Sequence, residues 1–551
     1  SLLRERSNGA GKLMDSICID RDEIFTRVLE YMQWQAQTPA KIKTENGLIN
    51  VTTSNFENSG DISAYLDFTC AEPEIFTNAG TITSETGKID VKAQIMENPG
   101  SLFAINGKMT ITATSNFTNA GTIKAVGVEI NATGNFTNSG KIDSSTGLLK
   151  ITAKSITTSG EIKANSGEFI STESDILFAE NSENTFEAGL TVTSAGNFEN
   201  YGTITASGNL VVNQVENFTN TGTITAESGA ISITAKTFEN ASEKTISAKT
   251  GFSCEITDTF TNEGTITASG VEIVATGNFK NEGSFISENG EISIISANFE
   301  NAQSSELSAK SGKMTITATG DFTNSGNFIS ENGDITITSA SFENTQSSEI
   351  SANPENTFTG KLVVTTATDF ENKGTIIASE FEINATTDFE NNGTIEVTSG
   401  NFSANVKNNF ANNSQITITA GKLLVKPVIN FTNTSNITAF GVEIDATGIF
   451  TNEGTIALLS GDVSIKSASF TNDAEKEISA KNGESVGFKF QEQAAYLYYF
   501  AEAVDTTKLD NPKAAINSIG DIPENNHYKR YGIATLDGKA YTSDGKSIEL
   551  A

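Results

Sequence analysis

Short runs of alternating apolar and polar residues recur along the whole chain, with turn-forming residues between them. Residues 216–235, ENFTNTGTITAESGAISITA, show the unit. Phe218 marks a first strand, Asn220-Thr221-Gly222 a turn and Ile224 a second strand; Ser228-Gly229 turns again, and Ile231 with Ile233 marks a third strand. Segments this short are not stable as isolated hairpins. They fold only if each unit buries its apolar residues against the next.

The Phe of this unit serves as a register mark. It is read at Phe56, Phe76, Met96, Phe117, Phe136, Ile156, Phe178, Phe198, Phe218, Phe238 and Phe260, then at Phe279, Phe299, Phe322, Phe342, Phe370, Phe389, Phe410, Phe431, Phe450 and Phe470. Of these 21 marks, 19 are followed two places later by Asn and 14 are followed four places later by Gly, so a repeat of about 20 residues outranks every other feature.

Units that cannot bury their own Phe and Ile, stacked in one register, predict an all-β fold: a parallel β-helix of about 21 coils over residues 41–487. At about 4.8 Å per strand the coils would stack to roughly 100 Å. The predicted core ladder includes Phe117, Phe136, Phe198, Phe218, Phe260, Phe279, Phe322 and Phe450. Asn119, Asn138 and Asn220 are expected to bond their equivalents one coil away as an amide ladder. Gly121, Gly140 and Gly222 are expected in turns that require positive φ. Interruptions place the loops. Residues 238–251, 299–312 and 470–483 replace the turn Gly with a polar bulge, and the long gap between Phe342 and Phe370 holds an excursion at Asn353-Pro354.

The two ends leave the repeat. In residues 1–40, Asp20 to Glu23 reads as a capping box, and Ile24, Phe25, Val28, Leu29 and Met32 then line one helical face, with Trp34 beyond them. An open solenoid end exposes unpaired strand edges, so this segment is either a cap or a docking element. Residues 488–551 predict a small α+β domain: an aromatic helix over 488–504 with Tyr496, Tyr498 and Phe500, then a β meander over 531–550 with Asp-Gly turns. Phe25, Leu29, Trp34, Tyr496, Tyr498 and Phe500 are the candidate assembly contacts.

Composition narrows the function. The 34 Phe supply enough apolar area for a packed body. A formal charge of −32 opposes contact with phosphate backbones, so no nucleic-acid partner is expected. Cys18, Cys70 and Cys254 lie too far apart to suggest a metal site or a disulfide framework. No apolar run is long enough to cross a membrane as a helix, and no signal peptide is legible in a chain that opens at Ser1.

Candidate chemistry is sparse. A sugar hydrolase needs clustered acids on long loops, whereas Glu227, Glu288 and Glu331 read as solvated turn charges. Ser-His catalysis has one distant histidine to draw on, His527. No catalytic residue, metal ligand or cofactor is predicted. Sequons such as Asn116, Asn135, Asn217 and Asn430 follow from the repeat wording and imply no glycosylation. Thr-x-Thr steps such as Thr203/Thr205 could form hydroxyl columns of the ice-binding kind, but TIKAV, KIDSS and SFISE interrupt them.

The wording NFTNSG followed by spaced Ile, Ala and Gly resembles the repeats of the filamentous haemagglutinin family over roughly residues 45–485. The resemblance implies a secreted, non-enzymatic bacterial adhesin built on a β-helix. Its family members that use two-partner secretion carry an N-terminal secretion domain; residues 1–40 do not match one, and ENPG at 97–100 is a turn in register. Two roles compete. The elaborate ends suggest a subunit that joins end to end, with self as partner. The resemblance suggests a monomeric stalk whose partner is a cell-surface ligand. A carbohydrate-active β-helix enzyme is the alternative from another class.

Overall fold

Alternation becomes strand wherever one set of side chains can be buried. In Leu210–Asn220, Phe218 and Asn220 point inward and Thr219 outward; in Thr223–Ala226, Ile224 and Ala226 are buried; in Ile231–Asn240, Ile231, Ile233 and Ala235 are. A one-residue slip would turn each set out to solvent, so the pattern fixes the register. A computed structural model describes residues 41–352 and 360–480, with the backbone of short strands at 486–490, 540–541 and 547–548. The described residues form an all-β parallel solenoid of about 22 turns and contain no helix. They fall into two compact units, one ending at Ala275 and the other beginning at Thr276, and the same three-strand coil builds each.

Every coil pairs in parallel with the next, residue on equivalent residue. In the first unit Phe198 pairs with Phe218 and Phe218 with Phe238, while Ile204 pairs with Ile224 and Ile224 with Ile246. In the second unit Phe322 pairs with Phe342 and Phe431 with Phe450. The rings follow the strands: from Phe279 to Phe470 consecutive centroids lie 4.3 to 5.2 Å apart. That spacing is the strand separation itself, about 4.8 Å, which holds the rings in offset stacks. Phe117 and Phe136 lie 5.2 Å apart, and Phe238 stacks on Phe260 at 4.3 Å.

The register mark moves in one coil. Ile176, not Phe178, continues the aromatic row, pairing with Ile156 on one side and Phe198 on the other. Phe178 occupies the Asn row, between Thr158 and Asn200. Aromatic identity misleads here because this coil exchanges its inward residues. Asn184 stands where its neighbours have Ile162 and Ile204, and Phe186 stands where they have Ala164 and Ala206. Gly167 makes room for the displaced ring; a Cβ there would lie 2.5 Å from Phe186 Cε1. Phe169 closes the cluster, 5.7 Å from Phe178 and 5.8 Å from Phe186.

In five turns that lack Gly, the backbone enters the left-handed region at a non-Gly residue. Asn181, Glu243, Ser304, Ser347 and Glu475 have φ of 64°, 62°, 67°, 69° and 67°. Each lies five places after its register residue. These are the polar bulges expected at 238–251, 299–312 and 470–483, with two more of the same geometry.

The excursion at Asn353-Pro354 lies outside the described residues, and Phe342 and Phe370 pair across it without loss of register. At the far end Val486–Phe490 pairs in parallel with Val463–Ser467, so the ladder runs to Phe490 and any helix in 488–504 starts no earlier than Gln491. Within the expected meander, Ala540–Tyr541 pairs antiparallel with Ser547–Ile548. Residues 1–40, with Phe25, Leu29 and Trp34, lie outside the described residues, as do Tyr496, Tyr498 and Phe500.

Candidate functional site

The most ordered polar feature is internal. Asn119 Nδ2 donates to Asn138 Oδ1 at 2.7 Å, and Asn220 Nδ2 donates to Asn240 Oδ1 at 2.8 Å. In the second unit the chain of amides runs from Asn281 to Asn472 with every link between 2.7 and 2.9 Å. These side chains sit in the core, where an unmade hydrogen bond carries its full desolvation cost, and identical neighbours satisfy both halves of each amide. Many of these Asn also tie their own turns: Asn220 Nδ2 reaches Gly222 O at 3.2 Å.

In the first unit the ladder breaks once. Asn138 ends on Thr158 Oγ1 at 3.1 Å, Phe178 follows, and the ladder resumes when Asn200 donates to Asn220 at 2.8 Å. Asn200 Oδ1 is buried without a partner, and so is Asn184 Oδ1 in the same exchanged coil. Asn184 keeps its donor occupied on Ser182 Oγ and Thr203 O, both at 3.1 Å.

The turn glycines have a reason other than the expected one. Among the described glycines only Gly461 has positive φ, at 96°. Gly121, Gly140 and Gly222 are required by stacking. A Cβ on them would lie 1.8 Å from Gly100 O, 2.0 Å from Gly121 O and 2.0 Å from Gly202 O. Sequence spacing shows that no side chain fits at these places, but not that the obstacle is the carbonyl of the preceding coil.

Outside, polar side chains pair along the stack. Lys141 meets Glu161 at 2.7 Å, Lys150 meets Glu168 at 2.9 Å, and Lys373 bridges Glu343 and Glu371 at 2.8 and 2.9 Å. Lys361 binds Glu382 at 2.6 Å, and that hydrogen bond first, with one from Asn384, holds the Glu382 carboxyl below its usual range. Burial works to raise Asp143, but hydrogen bonds from Lys124 and Ser145 outweigh it and leave the carboxyl low. Exposed pairs like these add modest stability and no reactivity. A row of hydroxyls survives in register over four coils, Thr203/Thr205, Thr223/Thr225, Thr245/Ser247 and Thr265/Thr267.

An open groove of about 460 Å³ lies over three stacked turns, Asn289–Glu291, Ser311–Lys313 and Asn332–Asp334. Its floor is the backbone of Gly290, Gly312 and Gly333. Of its charged groups, Lys313 pairs with Glu291 at 3.4 Å and Asp334 Oδ1 accepts the Lys361 N–H at 2.8 Å. Nothing in it pairs a nucleophile with a base; the one histidine, His527, lies outside the described residues. Among the described residues no group of three or more His, Cys, Asp or Glu side chains is placed to hold a metal ion, and no helix is long and apolar enough to cross a membrane. Burial pushes the Cys70 thiol up to about 12 and raises Cys254 well above its ordinary value, so both are protonated packing residues.

A search of characterised proteins and a search of solved structures gave no match. The family model of the haemagglutinin repeat matches residues 86–140, 143–242, 227–283, 285–326 and 327–354. Solenoids built from these repeats are typically non-enzymatic and characterise secreted and cell-surface bacterial proteins. The matched segments cover the coils marked from Met96 to Phe342, and residues 86–354 are haemagglutinin repeats of the filamentous haemagglutinin-like family.

Proposed function

We propose that the chain is a non-enzymatic, extracellular structural protein of a bacterial surface, an adhesin stalk that presents its polar flanks to a neighbouring cell or surface. One observation carries the reading: the same bonds recur coil after coil, so no coil is singled out as a reaction centre. Inward positions go to packing and the amide ladder, and outward ones to cross-coil pairs. What such a fold offers is stiffness and a long repeated display.

Surface exposure and adhesion are tested together. Intact producing cells are treated with protease, and purified chain is applied to cells and to glycan arrays. The reading expects cleavable chain outside the cell and saturable binding without turnover. Chain confined to the cytoplasm, or sugar cleavage abolished by one acidic substitution, would overturn it and revive the enzyme alternative.

A second reading, end-to-end joining into a fibre, draws on where apolar side chains are exposed. Leu48, Tyr65, Leu66, Ile75, Ile95 and Ile105 lie in the first coils, and Ile429, Phe440, Ile449 and Leu459 in the last ones described. From residue 106 to residue 428, Leu148, Tyr201 and Ile295 are the others among the described residues. Sticky ends and a polar middle suit a head-to-tail contact that does not close on itself.

A further inference from the structure

Two turns at one corner of the second unit are written almost identically. Residues 285–292, FISENGEI, and 328–335, FISENGDI, differ only at Glu291 and Asp334, and they stand two coils apart in register. Asn289 and Asn332 are both exposed, and each precedes a Gly. Their hydrogen bonds differ. Asn332 Nδ2 donates to Lys310 O at 2.8 Å, and Gly333 N–H donates to Ser330 Oγ at 3.1 Å. Among the described residues the Asn289 side chain makes no hydrogen bond. Ser287 Oγ donates to Gly290 O at 2.8 Å but accepts nothing from Gly290 N–H.

We infer that Asn289 is a site of spontaneous modification, where the chain converts its own amide to a carboxylate through a cyclic imide. The Gly290 nitrogen gives its proton to solvent base and attacks Asn289 Cγ, forming a C–N bond. The Cγ–Nδ2 bond then breaks, and ammonia leaves with a proton returned by solvent. Water opens the ring at either carbonyl to give Asp or isoAsp. One water enters and one ammonia departs, with nothing oxidised or reduced. Gly at the attacking position has no Cβ to hinder the approach. At Asn332 both reacting groups must first give up a hydrogen bond, the amide to Lys310 O and the nitrogen to Ser330 Oγ.

Other described Asn-Gly steps are tied as Asn332 is: Asn106 Nδ2 donates to Glu85 O at 2.8 Å and Asn392 Nδ2 to Glu390 Oε1 at 2.9 Å. Asn46 is untied among the described residues, but only Asn289 has a twin turn against which the effects of sequence and structure separate. The product changes this corner. A carboxylate at position 289 adds negative charge between Glu288 and Glu291, whose cations Lys310 and Lys313 are already paired with them at 2.9 and 3.4 Å. The isoAsp form also lengthens the backbone by one methylene where the stack is tight: a Cβ on Gly312 would lie 2.1 Å from Gly290 O.

The test is peptide mapping by mass spectrometry after incubation of the full chain in mildly alkaline buffer, folded and in guanidinium chloride. Cleavage after Lys310 and Lys313 puts the two asparagines on separate peptides. The folded chain is expected to accumulate Asp and isoAsp at position 289 several-fold faster than at position 332, and faster as the pH rises. In the unfolded chain the two positions should convert at about the same rate. Equal rates in the folded chain, faster conversion at Asn332, or Asp at 289 without isoAsp would overturn the assignment. So would an Asn289 that stays intact in the folded chain while the unfolded chain converts. A several-fold difference that persists in guanidinium would overturn it too, because sequence and not structure would then be the cause. None of these readouts depends on what the stalk binds, so failure here leaves the adhesin reading standing.

Discussion

Phe178 and Asn200 occupy the same position in consecutive coils, and the amide oxygen of Asn200 is buried with nothing to accept. In Asn78 to Asn138, Asn220 to Asn262 and Asn301 to Asn472 that oxygen receives a hydrogen from the coil before. Asn220 shows the intact case, accepting from Asn200 and donating to Asn240, both at 2.8 Å. The two asparagines should therefore respond differently to truncation. Asn220→Ala strands Asn200 and Asn240 together and should cost about 2–3 kcal/mol; Asn200→Ala, which has one fewer bond to lose, should cost about 1 kcal/mol less. Urea denaturation of the two variants checks the order, and equal losses would mean the break at Phe178 has no energetic consequence.

Glycine substitutions separate stacking from turn conformation. A Cβ on Gly140 would sit 2.0 Å from Gly121 O, while one on Gly127 would find its nearest neighbour, Leu148 O, at 3.5 Å. Gly140→Ala should lower stability by about 2 kcal/mol or more through displacement of the adjoining coil, and Gly127→Ala by less than about 0.5 kcal/mol. Thermal melts decide; the explanation fails if the two are alike.

At Ser304 and Ser347 the backbone strain has the opposite consequence. Both hold positive φ, at 67° and 69°, where a Cβ costs about 1 kcal/mol or more. Replacing either by Gly should stabilise the chain by up to about 1 kcal/mol, less the greater freedom of Gly when unfolded. Ser304 Oγ also donates nothing to the ladder; that role belongs to Ser305, 2.8 Å from Asn301 Oδ1, and Ser305→Gly should destabilise instead. Opposite signs for adjacent serines are measurable in one melting series.

The Lys361–Glu382 pair predicts a pH dependence. The folded Glu382 carboxyl lies below its ordinary value of 4.5, so its contribution is present above that value and disappears as the pH falls through the folded one. With side chains 33% and 38% exposed, screening keeps the contribution below about 1 kcal/mol. The melting difference between wild type and Glu382→Gln should be constant from about pH 8 to pH 5 and should close in more acid solution. A difference that widens in acid would contradict the assignment.

Much of this fold is legible in the sequence because a solenoid writes its contacts as identities. Phe117 lies on Phe136, and Asn119 on Asn138, at the spacing of the repeat. What stays hidden is which neighbour makes an identity necessary. The Gly rows record that a side chain is forbidden without saying that a carbonyl stands in the way. Phe178 resists for a related reason: its coil redistributes Ile, Phe and Asn among the rows and adds Phe186 where its neighbours have Ala, with Gly167 leaving the room, and a reading that follows the aromatic residue slips by two places. The left-handed residues at Ser304 and Glu243 carry no mark at all, since polar side chains elsewhere in the turns have ordinary φ.

The central claim is a self-contained surface stalk whose coils are satisfied within one chain. Negative-stain electron microscopy of purified chain across a concentration series tests it most directly. The account predicts isolated particles whose dimensions are the same at every concentration. Fibres that lengthen as concentration rises, with a repeat equal to one particle, would contradict it and make end-to-end assembly the function.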